Sequence, residues 1–117
     1  MTFEFIPLKQ IVLVANTATP TAIDIPTNIK GFAASHALQM KIAPTEDVVL
    51  KLGIKNDAST TSTAGVYEDF NVRYAKNSIE VSQVSRGNDS VTPTLISGMS
   101  ETSNGNIYIT FGYYAKS

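Results

Sequence analysis

Within residues 37–55 (ALQMKIAPTEDVVLKLGIK) the chain sets an apolar side chain at every second position on either side of a five-residue loop. Leu38, Met40 and Ile42 alternate with Gln39 and Lys41. After residues 43–47 (APTED), Val48, Leu50, Leu52 and Ile54 alternate with Val49, Lys51, Gly53 and Lys55. A period of two suits an extended strand, whose successive side chains point to opposite faces; a helix would repeat near 3.6. Two such segments on either side of a Pro-containing five-residue loop predict an antiparallel hairpin with one buried face.

The same rhythm recurs along the chain. Residues 8–14 read as a strand with Gln10, Val12 and Val14 on one face and Ile11 and Leu13 on the other, apolar enough on both to expect cover on both sides. Residues 21–25 alternate and stop at Pro26, which cannot donate to a ladder, so that strand ends there or lies at an edge. Residues 67–75 place Phe70, Val72 and Tyr74 inward, with Asn71 and Arg73 outward. Lys76-Asn77 turns the chain, and residues 78–84 return with Ile79 and Val81 inward and Ser78, Glu80 and Ser82 outward. Residues 91–99 form a strand weakened by Pro93 and Gly98. The dipeptide Asn104-Gly105, which tolerates positive φ, is read as a tight hairpin turn. Residues 107–115 close the chain, with Ile107, Ile109, Phe111 and Tyr113 on one face and Tyr108, Thr110, Gly112 and Tyr114 on the other.

Between these segments lie polar connections. Residues 56–65 (NDASTTSTAG) hold too little apolar surface to pack and read as an exposed, mobile loop. Residues 85–90 (SRGNDS) are a second polar loop, and a short helical turn is admitted around residues 33–37. Eight or nine short strands with no substantial helix predict an all-β fold, an antiparallel β-sandwich or small barrel. Two sheets are expected, because one sheet would leave many inward faces uncovered.

Length and composition set the remaining bounds. At 117 residues the chain is read as a single domain over residues 1–117, long enough to fold without staples. It has no cysteine, so disulfides, thiolate metal sites and a Cys nucleophile are excluded. Nine basic residues against ten acidic ones, with only Arg73 and Arg86 as arginines, supply no basic face, and no nucleic-acid partner is expected. The longest apolar run is residues 11–15 (IVLVA), too short for a membrane span. The start, residues 1–5 (MTFEF), lacks a basic region and a cleavage site, so no secretory leader is expected.

Few residues offer chemistry. His36 is the single histidine, and Ser35 beside it points to the other side of a strand; the pair reads as surface packing, not a catalytic relay. Asp57, Glu68, Asp69 and Asp89 lack the spacing of a calcium loop and read as solvated charges. There is no phosphate-binding glycine loop, and Asn88-Asp89-Ser90 matches a glycosylation sequon in a chain rich in Asn and Ser. No catalytic residue, cofactor or metal is therefore assigned. The candidates that remain are aromatic: Tyr108 and Tyr114, facing outward on the last strand, and Phe3 and Phe5 ahead of Pro7. Outward aromatics suit a partner interface or a sugar platform. Residues 1–7 are read as an N-terminal arm able to join a neighbour.

The chain resembles small virion proteins of tailed bacteriophages, head-decoration (cementing) proteins and tail modules. The likeness rests on the early strand, the phrase TATPTAIDIP (residues 17–26), the paired segments 38–42 and 48–54, and the closing strand 107–115. The resemblance implies a jelly-roll-like sandwich present in many copies, a homo-oligomer that binds major capsid or tail subunits. It implies a place in the virion after assembly in the host cytoplasm, and no enzymatic activity. Two further readings stand beside it. One is a pilin-like adhesive subunit assembled by strand exchange, suggested by the closing strand with Tyr113-Tyr114. The other is a carbohydrate-binding β-sandwich using the tyrosines.

Overall fold

The computed structural model describes residues 2–26, 29–32, 36–53, 72–84 and 95–116, and for residues 51–53 the backbone alone. Eight strands occupy most of this: β1 (Phe3–Ala15), β2 (Thr21–Asp24), β3 (Gln39–Pro44), β4 (Val48–Gly53), β5 (Val72–Tyr74), β6 (Glu80–Gln83), β7 (Leu95–Ser100) and β8 (Gly105–Lys116). None of the described residues is helical. The strands form two antiparallel sheets of four, ordered β1-β8-β3-β6 and β2-β7-β4-β5.

That order has a simple generator. β1 pairs with β8, β2 with β7, β3 with β6 and β4 with β5, so the second half of the chain runs back along the first. The doubled ribbon then coils, bringing β8 against β3 and β7 against β4. Of the consecutive strands only β4 and β5 are neighbours in a sheet; every other connection between successive strands crosses from one sheet to the other.

The alternation of side chains explains the core. Leu13 and Ala15 of β1, Met40 and Ile42 of β3, and Ile107, Ile109 and Phe111 of β8 face Val48 and Leu50 of β4, Tyr74 of β5 and Ile96 of β7 in one buried cluster. Each fully buried aliphatic of this size contributes about 1.5–3 kcal/mol of transfer free energy. The layers meet closely at Gly98. A Cβ there would stand 2.7 Å from Leu50 Cδ2 and 2.9 Å from both Ile107 Cδ1 and Leu13 Cδ2.

Several expectations are corrected by this arrangement. Strands β3 (Gln39–Pro44) and β4 (Val48–Gly53) overlap the expected segments 38–42 and 48–54 and bury the expected Met40, Ile42, Val48 and Leu50, but they are not a hairpin. β3 and β4 lie in different sheets, and the connection between them is an arch over the core. Asn104-Gly105 likewise begins a strand after a crossing from β7 and has no positive φ; Gly31 and Asn77 hold that conformation among the described residues. Gly105 answers to packing instead, since a Cβ would meet Thr45 Oγ1 at 2.7 Å and Glu46 Cγ at 2.8 Å.

β6 is inverted relative to expectation. Ser82 sits opposite the buried Met40 and Val84 is buried, whereas Ile79 is 67% exposed. β5 and β6 lie in different sheets, so the chain crosses over at the turn holding Asn77 (φ 61°), and the pairing of β6 with β3 sets which of its residues face inward. Tyr74 is buried as expected, while Val72, at the start of the edge strand β5, stays exposed. Ile54, the loop at 56–65, residues 67–71, the loop at 85–90 and residues 91–94 lie outside the described residues, as do Asp57, Glu68, Asp69, Asp89 and the sequon.

One end of the molecule is tied by its connections. Asp47 Oδ1 accepts the amide of Lys76 at 2.7 Å, and the Asp47 carbonyl accepts the amide of Glu101 at 2.9 Å. Thr45 Oγ1 accepts the Asn106 amide at 3.0 Å, and Asn104 Oδ1 accepts the Thr17 amide at 3.0 Å. Ion pairs Lys76–Glu46 (3.7 Å) and Arg73–Glu101 (3.6 Å) border this set. Both are solvent-facing and contribute at most about 1 kcal/mol each.

Candidate interaction surface

β1 is the edge of the first sheet, and among the described residues it pairs with β8 alone. It runs through Pro7 without stopping, so Phe3 to Pro7, expected as an arm, form the first half of a long strand opposite Gly112 to Lys116. Proline is tolerated at an edge because the ladder there has a free side. The register shifts between Pro7 and Lys9, leaving Leu8 as an extra residue, a bulge. Here β8 comes very near: a Cβ on Gly112 would collide with the carbonyl oxygen of Ile6 and stand 2.8 Å from Phe5 Cζ. Glycine at 112 is what allows β1 to lie down at the bulge.

Residues opposite each other in an antiparallel pair share a face. Tyr108 is opposite Val12 and Tyr114 opposite Phe5, while Phe3 is opposite Lys116. The four aromatic candidates therefore share the outer face of the β1–β8 ribbon. They do not form one cluster, since Tyr108 and Tyr114 are six residues apart, about 20 Å along a strand. At one end Phe3 (63% exposed), Phe5 and Tyr114 gather. The Phe5 and Tyr114 rings meet edge-to-face at 5.8 Å, and Lys41 Nζ stands 5.2 Å over the Phe5 ring. At the other end Tyr108 joins Val12 and Val14, which are 43% and 57% exposed. Gln10, Thr110 and Lys41 lie between the two ends.

Val12 and Val14 were expected to be covered. Their alternation with Leu13 was legible, but what covers each face was not: among the described residues no layer lies over the outer face, which leaves them in solvent together with Tyr108 of the central strand β8. The second sheet differs at β7, where Leu95 and Ser97, pointing away from the shared core, are also buried.

The ionisable groups show little convergence. His36 is exposed and stacks on Tyr113 with ring centroids 4.3 Å apart and an interplanar angle of 23°, a packing role. Among the described residues no three His, Cys, Asp or Glu side chains gather as metal ligands would. The Tyr74 hydroxyl shares a 3.2 Å hydrogen bond with Ser82 Oγ. Burial raises its pKa above the ordinary value of 10.0; the Ser82 hydrogen bond opposes this and the charge of Glu80 adds to it. This pair joins β5 to β6 and stitches the two sheets at the edge opposite β1.

No family model, curated protein or solved structure matches the chain. The candidate surface therefore rests on its own geometry.

Proposed function

We propose that the two sheets form a β-sandwich wound as a jelly roll, and that the chain is a non-enzymatic structural subunit of a virus particle. In this reading it is a capsid decoration or stabilising protein, resident in the virion and bound to neighbouring capsid or tail subunits. The observation that carries the reading is the strand order. A ribbon of four strand pairs coiled into two four-stranded sheets is the double Greek-key winding used by viral capsid domains, and also by lectins and cupins. Fold analogy alone does not select among these. The outer face of β1–β8 adds the second consideration. It places four large apolar side chains, Phe3, Val12, Val14 and Tyr114, at 41% exposure or more on one ribbon, which suits protein contact. Weak contacts of this kind become effective when many copies bind one particle.

The test is the protein content of particles encoded by the genome that carries this gene. Density-gradient-purified particles are expected to contain the chain by mass spectrometry, in a fixed ratio to the major capsid protein. Its absence from such particles overturns the reading.

Two alternatives differ in what supports them. A pilin-like subunit would need an open groove beside its core, whereas β8 is flanked by β1 and β3. A carbohydrate-binding role draws on the exposed rings of Tyr108 and Tyr114. It predicts glycan-array binding that is lost in both Tyr108→Ala and Tyr114→Ala.

A further inference from the structure

We propose that two copies of this chain join edge to edge through β1, antiparallel, about a two-fold axis at the Leu8 bulge. Two four-stranded sheets then become one sheet of eight. The inference names the first partner of the surface described above and rests on reading that surface as one for assembly.

Register selects this pairing. The bulge changes which residues face outward. Before it, Phe3, Phe5 and Pro7 are outward; after it, Gln10, Val12 and Val14 are. A strand that reverses onto its own copy about the bulge therefore sets outward residues opposite outward residues. Pro7 faces Gln10 of the second copy and Phe5 faces Val12. On the inner face Ile6 meets Ile11, both half-buried. Each match occurs twice by symmetry, as an isologous contact requires. On the outer face the rows continue across the joint, running Tyr114, Phe5, then Val12 and Tyr108 of the second copy. Aromatic and β-branched side chains placed opposite one another are favourable cross-strand pairs.

The extent of the joint is bounded. The Thr21 hydroxyl donates to the Val14 carbonyl, which closes the edge beyond Leu13. Pro7 has no donor to offer. The ladder thus spans residues 4–13, about 33 Å at 3.3 Å per residue. A single strand edge of that length falls at the small end of specific interfaces, so dissociation in about the micromolar range is expected. Main-chain pairing supplies affinity and the side-chain rows supply register.

Three measurements on the full chain test this. Sedimentation equilibrium across the micromolar range should show a mass rising from 12.6 kDa to twice that value. Val12→Lys, at an exposed position, should weaken the dimer at least about tenfold, with its circular dichroism spectrum unchanged and its unfolding midpoint unchanged at concentrations where both proteins are monomeric. The chain has no cysteine of its own, so register is read by paired substitutions. Phe5→Cys with Val12→Cys should cross-link two copies on oxidation, and Phe5→Cys with Val14→Cys should not. A monomer at all concentrations overturns the proposal. So does a trimer or higher species, a dimer indifferent to Val12→Lys, or cross-linking in the mismatched pair. Particle content separates this from the broader reading: a monomeric chain found in particles overturns the dimer alone, and a dimeric chain missing from particles overturns the virion assignment alone.

Discussion

Two glycines and one tyrosine carry consequences out of proportion to their size. Gly98 sits where three aliphatic side chains from three strands converge, and Gly98→Ala should cost about 1–3 kcal/mol by overpacking, read as a lower denaturant midpoint. Gly112 faces backbone, which cannot swing aside. Gly112→Ala should free the first half of β1 while leaving the rest folded, so amide exchange at Phe3, Glu4, Phe5 and Ile6 should accelerate at least about tenfold relative to Val48 and Leu50. Tyr74 links structure to pH. Its folded pKa is raised, chiefly by burial, so the neutral phenol is favoured in the native state. The associated stability is fully present below the unfolded value near 10 and is lost as pH rises through it toward the raised folded value. Tyr74→Phe should lower stability at neutral pH modestly and flatten the decline above pH 10, measured by urea unfolding across that range.

The elements differ in how strongly the core holds them. Leu50 of β4 is buried beside Gly98, so Leu50→Ala should destabilise by about 2–5 kcal/mol. A loss under about 0.5 kcal/mol would place Leu50 outside the core. The inverted facing of β6 makes a paired prediction. Ile79→Ser, in solvent, should change stability by less than about 0.5 kcal/mol, while Val84→Ala should cost about 1–3 kcal/mol. The opposite ranking would restore the facing expected from alternation alone. That alternation misled because Ile79 and Val81 form the more apolar pair. Ser82 faces inward even so, because it has a hydroxyl partner there in Tyr74 and stands in register with Met40.

For the whole molecule, the coiled ribbon means that β1 pairs with β8, the two strands farthest apart in sequence. Closing such long loops precedes the contacts that reward it, so refolding should fall in the millisecond-to-second range, not microseconds. Stopped-flow fluorescence of the tyrosines would report it. The faces of β3, β4 and β8 are readable from the sequence, because side-chain direction in an extended chain depends only on whether a position is odd or even. Partners were not readable. Residues 38–42 and 48–54 carry the same pattern whether they pair with each other or arch into opposite sheets, since hydrophobic alternation records what must be buried and not what buries it. The exposure of Val12 and Val14 escaped for the same cause: an apolar residue on the second face of a strand is buried only where another layer covers that face, and among the described residues none covers the outer face of the β1–β8 ribbon.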